Sequence, residues 1–481
     1  SFNLSVICKK LILKMIPEHF YFKYFLTLII SSTIIFAQNV VNIPVTTNGK
    51  ILTIANSNGI NFIGGNFSQV SPITGTAVLI DKITTNKTIN FPKVNGTIYA
   101  VESDSEGGFY IGGNFSKVGG LARNNIAHID KDGLVTAFAP VVESDNLPIV
   151  YSIKKDGNFI YFAGSFRYVN SQSRNFIAKV DIAGNLTSWD ANANDEIYTI
   201  EIHNGKIYFG GNFSTLGATT RFKIACIDSE GNLDNWYPLV NNQIKQIKFH
   251  NNKFYISGGF TNVNNVSRQR FAVVDMDGNL DNFALNFNQR VEDFAILNDK
   301  IYFGGRFTKV NNIAKSYIAI SDLNGNLINV TASLDNFVYS VSTDLNSIYF
   351  GGAFNKFNGI ERNYIAKISE EGTLSEWNPN PNNLVFAIMP INQSILIGGA
   401  FMGVGGVKRN NFAAINESGD LEDFNIDVNG DILSIYKDDD VIYIGGNFTS
   451  VNKVERRFLA AIDINGNLLD WNPNLNSAVY T

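Results

Sequence analysis

An all-β fold of about nine four-stranded units is predicted by three observations. A seven-residue motif recurs at nearly constant spacing, apolar residues alternate with period 2 inside each unit, and tight-turn signals separate the alternating runs. The motif is typified by Ile207-Tyr208-Phe209-Gly210-Gly211-Asn212-Phe213. Its last aromatic falls at Phe67, Phe115, Phe166, Phe213, Phe260, Phe307, Phe354, Phe401 and Phe448, in steps of 48, 51 and then six of 47 residues. Self-similarity at such a period is the mark of a repeat architecture. Four strands per repeat of this length predict a β-propeller of about nine four-stranded blades.

The unit from Gln243 to Asn288 shows how each strand is read. Ile244-Lys245-Gln246-Ile247-Lys248-Phe249 alternates as a half-buried strand does. His250-Asn251-Asn252-Lys253 is a polar turn, and Phe254-Tyr255-Ile256 opens a second strand that runs into Gly258-Gly259-Phe260. After a longer polar loop, Arg270-Phe271-Ala272-Val273-Val274-Asp275 forms the third strand. Asp277-Gly278-Asn279 supplies residues that tolerate the positive φ of a hairpin turn, and Leu280 to Phe287 is the short fourth strand. The paired glycines leave a floor for a bulky neighbour. The expected neighbours are the fourth-strand aromatics Trp189, Trp236, Phe283, Trp377, Phe424 and Trp471. No segment after residue 40 keeps a helical period over three turns.

Residues 1–37 read as a signal peptide. Lys9, Lys10, Lys14 and Lys23 precede an apolar run from Tyr24 to Phe36, with Ala37 at the expected cut. Translation from Met15 is an alternative start, and the run is short for a membrane span. Without these residues the formal charge moves from -5 to -8, which gives no electrostatic reason to seek nucleic acid or an anionic membrane. The remainder, 38–481, is the repeat domain and keeps one cysteine, Cys226, so no disulfide forms within it and its stability must come from its core. The first unit, 40–100, is irregular, as terminal repeats often are where they cap or close an array. Ala478-Val479-Tyr480-Thr481 reads like the start of a tenth first strand, so the chain is read as cut inside a repeat.

Phe109-Tyr110-Ile111-Gly112-Gly113-Asn114-Phe115, Arg123-Asn124-Asn125-Ile126-Ala127 and Asp132-Gly133-Leu134 recur together. In these three sub-motifs the chain resembles the delta-60 repeat, a β-propeller repeat family of unknown function. The resemblance covers about residues 50–481 and implies a secreted or surface-exposed bacterial protein. It supplies no catalytic residues. Within the pattern, Ser165 is read as replacing a glycine and Ser257 as preceding a glycine pair shifted by one.

The most regular charge is basic: Arg123, Arg174, Arg221, Arg268, Lys315, Arg362, Arg409 and Arg456 stand just before the third strand of successive units. In a closed propeller they form a ring on one face. This ring has two readings: the seven arginines bind an anionic ligand such as an acidic glycan, or each guanidinium holds loop carbonyls or a neighbouring carboxylate. Turns such as Asp275-Met276-Asp277-Gly278-Asn279 resemble calcium loops faintly, but lack the further spaced ligands and read as hairpin turns. His203 and His250 occupy equivalent turns and are read as structural. No metal, cofactor, nucleophile-elbow or phosphate-loop pattern is present. Asn-x-Ser/Thr sequons at Asn66, Asn114, Asn212 and Asn447 fall inside the glycine motif.

A symmetry-breaking site is expected where repeats differ. Along the first strand, Ser152, Thr199, Gln246, Asp293, Ser340, Ala387 and Ser434 align, and so do Lys154, Glu201, Lys248, Ala295, Ser342, Met389 and Tyr436. These positions should line the central channel. The loops after strands two and four open on one face and are the longer ones, so binding is expected there. The function read from all this is an exported binding or adhesion module with a protein or carbohydrate partner. A polysaccharide-active enzyme and a structural spacer are the alternatives.

Overall fold

The computed structural model describes residues 45–57, 60–87, 91–391, 393–415, 421–423, 426–438, 440–463 and 465–480. The segment read as a signal peptide and Phe424 lie outside the described residues. The repeating sheet is antiparallel, with an inner, a middle and an outer strand, for example Ile244–His250, Lys253–Gly258 and Phe271–Asp275. The middle strand is covered on both faces after its first residue: Phe254, Tyr255, Ile256 and Ser257 are all buried. Among the described residues nine sheets follow this plan.

The expected fourth strand is reduced to single bridges such as Val274↔Leu280 and Ile227↔Leu233. The segment after each bridge is shaped by side-chain capping, as where Asp281 Oδ1 accepts the Phe283 N–H at 2.9 Å, so no ladder propagates. It ends instead on the next blade, through bridges such as Val240↔Val263 and Phe287↔Val310. The loop after the middle strand is itself a small hairpin, as in Asn262–Val263 with Val266–Ser267.

Seven inner strands neighbour one another in a cycle: Val94–Ser103, Val150–Asp156, Ile197–His203, Ile244–His250, Val291–Leu297, Val338–Thr343, Val385–Ile391, and back to Val94–Ser103. No single hydrogen-bonded sheet runs round the axis; the cycle is closed by side chains between sheets. The core lies in those junctions. Tyr161, Ala163 and Ile177 of one blade pack with Ile197, Ile200, Ile207 and Phe209 of the next. The terminal motif aromatics Phe166, Phe213, Phe260, Phe307, Phe354, Phe401 and Phe448 are fully buried, each contributing about 1.5–3 kcal/mol of transfer free energy.

The glycine pair serves these junctions, though not as expected. A Cβ on Gly210 would stand 2.4 Å from Ile244 Cγ2, and one on Gly304 would stand 2.4 Å from Val338 Cγ1. The first glycine is thus a floor for the β-branched residue that opens the next blade, and not for a fourth-strand aromatic. The second meets its own blade's backbone: a Cβ on Gly211 would lie 2.1 Å from the Glu196 carbonyl oxygen. Ladder register also corrects the reading of Ser165. Ala163, paired with Ser152 as Gly210 pairs with Thr199, takes the first glycine's place there, and Ser257 takes it opposite Gln246. The tryptophans staple blades in another way. Trp189 packs edge-on to Tyr161 of its own blade and its indole N–H donates to the Asp228 carbonyl of the next at 3.1 Å.

Two repeats exchange strands. The seventh sheet of the cycle takes Val385–Ile391 and Ser394–Gly399 from one repeat and its outer strand, Ala77–Asp81, from the first. The outer strand expected at that place, Phe412–Ile415, pairs instead with Ile60–Asn66. Lys50–Ser57, Ile60–Asn66 and Phe412–Ile415 therefore form a sheet outside the cycle, which packs on Ile432–Asp438 of the last sheet. The expected order of nine self-contained units is corrected here. Equivalent strands of all repeats carry the same alternation, so a middle strand accepts an outer strand from any of them.

Candidate functional site

The inner strands share a β-bulge. Their register with the middle strand skips one residue at Ile98/Ala100, Val150/Ser152, Ile197/Thr199, Ile244/Gln246, Val291/Asp293, Val338/Ser340 and Val385/Ala387. A bulge inserts an unpaired residue and re-aims its side chain. The skipped residues are Tyr99, Tyr151, Tyr198, Lys245, Glu292, Tyr339 and Phe386, and all seven line one cavity of about 590 Å³ in the centre of the cycle.

At the start of the inner strands, on the long-loop face, these side chains form a ring. Tyr339 and Phe386 have centroids 5.2 Å apart, Phe386 stacks on Tyr99 at 4.8 Å, and Tyr99 meets Tyr151 edge-on at 5.8 Å. Tyr151 meets Tyr198 at 5.5 Å, and the Lys245 ammonium lies 3.5 Å from the Tyr198 ring centroid. Glu292 occupies the remaining position and accepts from Arg290 at 2.9 Å and Arg306 at 2.5 Å. Arg306 in turn lies over Phe337 at 4.8 Å. Five consecutive aromatics thus run between two positions that carry charge. Burial pushes the Tyr151 hydroxyl up to about 12, with Glu196 adding to it, and raises Tyr198, whose hydroxyl donates to Glu196 at 2.7 Å. Burial lowers the Lys245 ammonium to about 8, which Glu292 only partly counters.

Below the mouth, four of the first set of positions singled out from sequence, Ser152, Thr199, Gln246 and Asp293, hold neighbouring inner strands. Thr199 Oγ1 donates to Gln246 Oε1 at 2.6 Å, Gln246 Nε2 to Asp293 Oδ1 at 3.1 Å, and the Val341 N–H to Asp293 Oδ2 at 2.8 Å. Ser152 Oγ accepts the Ile200 N–H at 3.1 Å. These groups tie neighbouring inner strands and are already satisfied. Deeper, Lys154 pairs with Glu201 at 3.4 Å and Lys248 with Asp293 at 3.0 Å. Burial holds the Glu102 carboxyl above the usual range, and Lys154 only partly offsets it. Burial disfavours the Lys154 ammonium, but Glu102 and Glu201 outweigh it and raise its pKa. Glu102 is a channel residue that sequence alignment passed over, whereas Ser434 and Tyr436 belong to the last sheet, outside the cycle.

The basic ring sits elsewhere. Arg362 Nη1 donates to the Glu361 carbonyl at 2.8 Å and Nη2 to that of Ser375 at 2.9 Å. Arg123, Arg174, Arg268, Arg409 and Arg456 repeat both bonds. Arg221 makes the first with the Thr220 carbonyl at 3.1 Å, and Lys315 reaches the Val330 carbonyl at 3.4 Å. Two residues after each of these cations stands a non-glycine residue with positive φ, such as Phe176 at 66° and Tyr364 at 62°. Such conformers cost roughly 1–3 kcal/mol and persist where the surroundings over-determine them. The guanidinium forks brace that turn and pin the segment after the outer strand.

The aspartate turns hold themselves. Asp275 Oδ1 accepts the N–H groups of Asp277 and Asn279 at 2.9 and 2.8 Å. His203 stacks on Phe249 at 3.6 Å. A further cluster that sequence reasoning missed joins His128 Nε2 to Asp104 Oδ2 at 3.0 Å and Nδ1 to Thr136 Oγ1 at 3.2 Å. Its outer members have backbone duties: Asp104 Oδ1 accepts the Glu106 and Gly108 N–H groups, and Thr136 Oγ1 accepts that of Phe138.

Residues 203–235 and 346–374 match the family described as a domain of unknown function (DUF5122) beta-propeller. No curated protein sequence matches the chain. Similar solved structures include the computationally designed Ika8 protein, at 12% identity and TM-score 0.45 over 75% of this chain and 96% of that one. The WD40 beta propeller domain of Doa1 aligns at 14% identity and TM-score 0.45, over 64% of this chain and 91% of that one. BamB from Moraxella catarrhalis aligns at 13% identity and TM-score 0.39, over 76% and 97%. The repeated sheets, their cyclic order and the two matched stretches make this chain a β-propeller protein.

Proposed function

We propose that this chain is an exported interaction module that seats its ligand at the aromatic mouth of the central channel. Its nine sheets read as nine blades, seven around the channel and two packed on each other outside that cycle. The observation that carries the reading is the bulge: at one register position in all seven inner strands it turns a side chain into the same cavity, and five of the seven are aromatic. Half-buried rings offer large, rigid contact area at small entropic cost, which suits a binding surface. The cavity volume is within the range of ligand sites. Export to the cell surface or medium rests on residues 1–37, and the delta-60 resemblance agrees with it.

An enzyme acting on polysaccharide would need two carboxylates free to face one scissile bond. The channel's Glu201 is instead tied to Lys154. Anion binding by Arg123, Arg174, Arg221, Arg268, Arg362, Arg409 and Arg456 stays a second proposal, and one experiment separates the two sites. Glycan and peptide arrays would be probed with the chain, with a Tyr99→Ala/Tyr151→Ala variant and with an Arg221→Ala/Arg268→Ala/Arg362→Ala variant, their folds checked by circular dichroism. Binding lost only in the tyrosine variant supports the mouth. Binding lost only in the arginine variant moves the site to the basic ring and overturns this reading.

A further inference from the structure

We infer that the channel mouth binds a ring-shaped ligand bearing an anionic group, with its apolar face against the aromatic arc and its anion against Lys245. A uronic-acid saccharide and an aromatic carboxylate share this chemistry. The inference rests on the mouth being the ligand site.

Three observations carry it. First, the arc is interrupted on one side only. Tyr339, Phe386, Tyr99, Tyr151 and Tyr198 follow one another without a break, and their partly exposed rings face the cavity. Aromatic faces and edges receive flat, weakly polar rings well. Second, the charge beside the arc is uneven. Glu292 is taken up by Arg290 and Arg306, so the mouth's own acid is spent on two guanidinium groups. Lys245 has no carboxylate at ion-pair distance among the described residues; its ammonium rests on the Tyr198 face at 3.5 Å. A partly desolvated cation without a counter-ion is costly, and an incoming anion relieves that cost. Third, the dimensions suit: about 590 Å³ holds a few linked rings.

The titration of Lys245 supports this arrangement. Its burial lowers the ammonium to about 8, with Arg290 and Arg306 adding to the effect and Glu292 and Glu196 opposing it, and the Tyr198 ring lies beneath it. A bound anion favours the charged form. Anion affinity is therefore highest below about pH 8 and falls as the pH rises through it.

Calorimetric titration of the chain with trigalacturonate, the neutral galactose trisaccharide and benzoate tests the proposal, at pH 7 and pH 9.5. Trigalacturonate or benzoate is expected to bind at pH 7 and to weaken about tenfold in Lys245→Met, the loss expected of one charge-assisted hydrogen bond. Lys245→Arg should keep the affinity at pH 9.5, where the natural protein loses it; this variant also separates a lost charge from a lost fold. Which of the two acids binds assigns the ligand to saccharides or to aromatic carboxylates. Equal binding of the neutral trisaccharide, indifferent to Lys245→Met but lost in Tyr99→Ala/Tyr151→Ala, overturns the anion and leaves the mouth standing. No binding of any probe overturns the inference. Binding of a probe that ignores both the tyrosine and the lysine variants overturns the mouth as well.

Discussion

Ile98 Cγ2 lies 2.6 Å from the place a Cβ on Gly398 would occupy, although the two residues are 300 positions apart in the chain. The same interlock joins Gly112 to Val150 and Gly351 to Val385 at 2.6 and 2.7 Å, so the contact that closes the cycle is, like those along it, a β-branched side chain seated on a glycine. Gly398 also pairs with Ala77 of the exchanged strand. Closure and strand exchange therefore meet at one residue.

Gly398→Val should destabilise the protein by about 1–3 kcal/mol, the usual cost of overpacking a fixed core, read as a lower urea midpoint. Gly210→Val should cost a similar amount at an internal junction, where its Cβ meets Ile244 at 2.4 Å. The two differ in where the damage spreads. Amide exchange in Ala77–Asp81 and Val94–Ser103 should accelerate in Gly398→Val alone, because only that junction holds the returning strand.

The arginine forks predict a stability effect without any ligand. Arg362→Ala leaves the Glu361 and Ser375 carbonyls without their donors and loosens the turn in which Tyr364 holds a φ of 62°. A loss of about 1–3 kcal/mol is expected from two charge-assisted bonds partly replaced by water. Arg362→Lys should recover only part of it, since the ammonium of Lys315, at the equivalent place, reaches one carbonyl at 3.4 Å. Chemical denaturation of the three proteins checks the order.

The aspartate turns predict acid sensitivity. The side-chain amide and backbone N–H of Asn232 bond the Asp228 carboxylate and hold its pKa below 3.8, and Asn185 does the same for Asp181. A depressed carboxyl stabilises the fold above the unfolded value, and the contribution disappears as pH falls through the folded one. Asp181→Asn/Asp228→Asn should therefore be less stable than the natural protein at pH 6, with the gap narrowing below pH 4. Urea midpoints measured from pH 6 to pH 2.5 decide it.

How much of this was legible in the sequence depends on what each feature needs. The motif ending at Phe213 and the alternation in Ile244 to Phe249 require only local pattern, and the three hydrogen-bonded strands appear where that pattern puts them. The mouth was missed because a bulge breaks period 2. Alternation counted from Ser152 to Lys154 passes over Tyr151, although the extra residue in the register turns it into the channel. The strand exchange was equally hidden, since Ile80 and Val78 present to Ile395 and Ile397 the same apolar pairing a sequential strand would. Of the two readings of the basic ring, the carbonyl-holding fork describes the observed bonds of Arg362; anion binding there remains for the array experiment.

Lys245 gives the last prediction, which sets stability against the proposed site. Its folded pKa of about 8 lies below that of a free lysine, because burial disfavours the ammonium. Between about 8 and 10.5 the unfolded chain thus binds the extra proton and the folded chain does not, so stability rises with pH across that window. At pH 7 both states are protonated and the folded one carries the full desolvation cost. Lys245→Met removes that cost and should stabilise the protein at pH 7 by about 1–3 kcal/mol, since a tenfold change in proton affinity is worth about 1.4 kcal/mol. The gain should shrink between pH 8 and 10.5, as the natural protein sheds the proton itself. Urea midpoints for both proteins at pH 7, 9 and 10.5 measure it. A charge kept against stability, at a bulge position whose ammonium rests on an aromatic face, is what a ligand-binding cation requires, and a variant that gains stability while losing the anion would tie the two together.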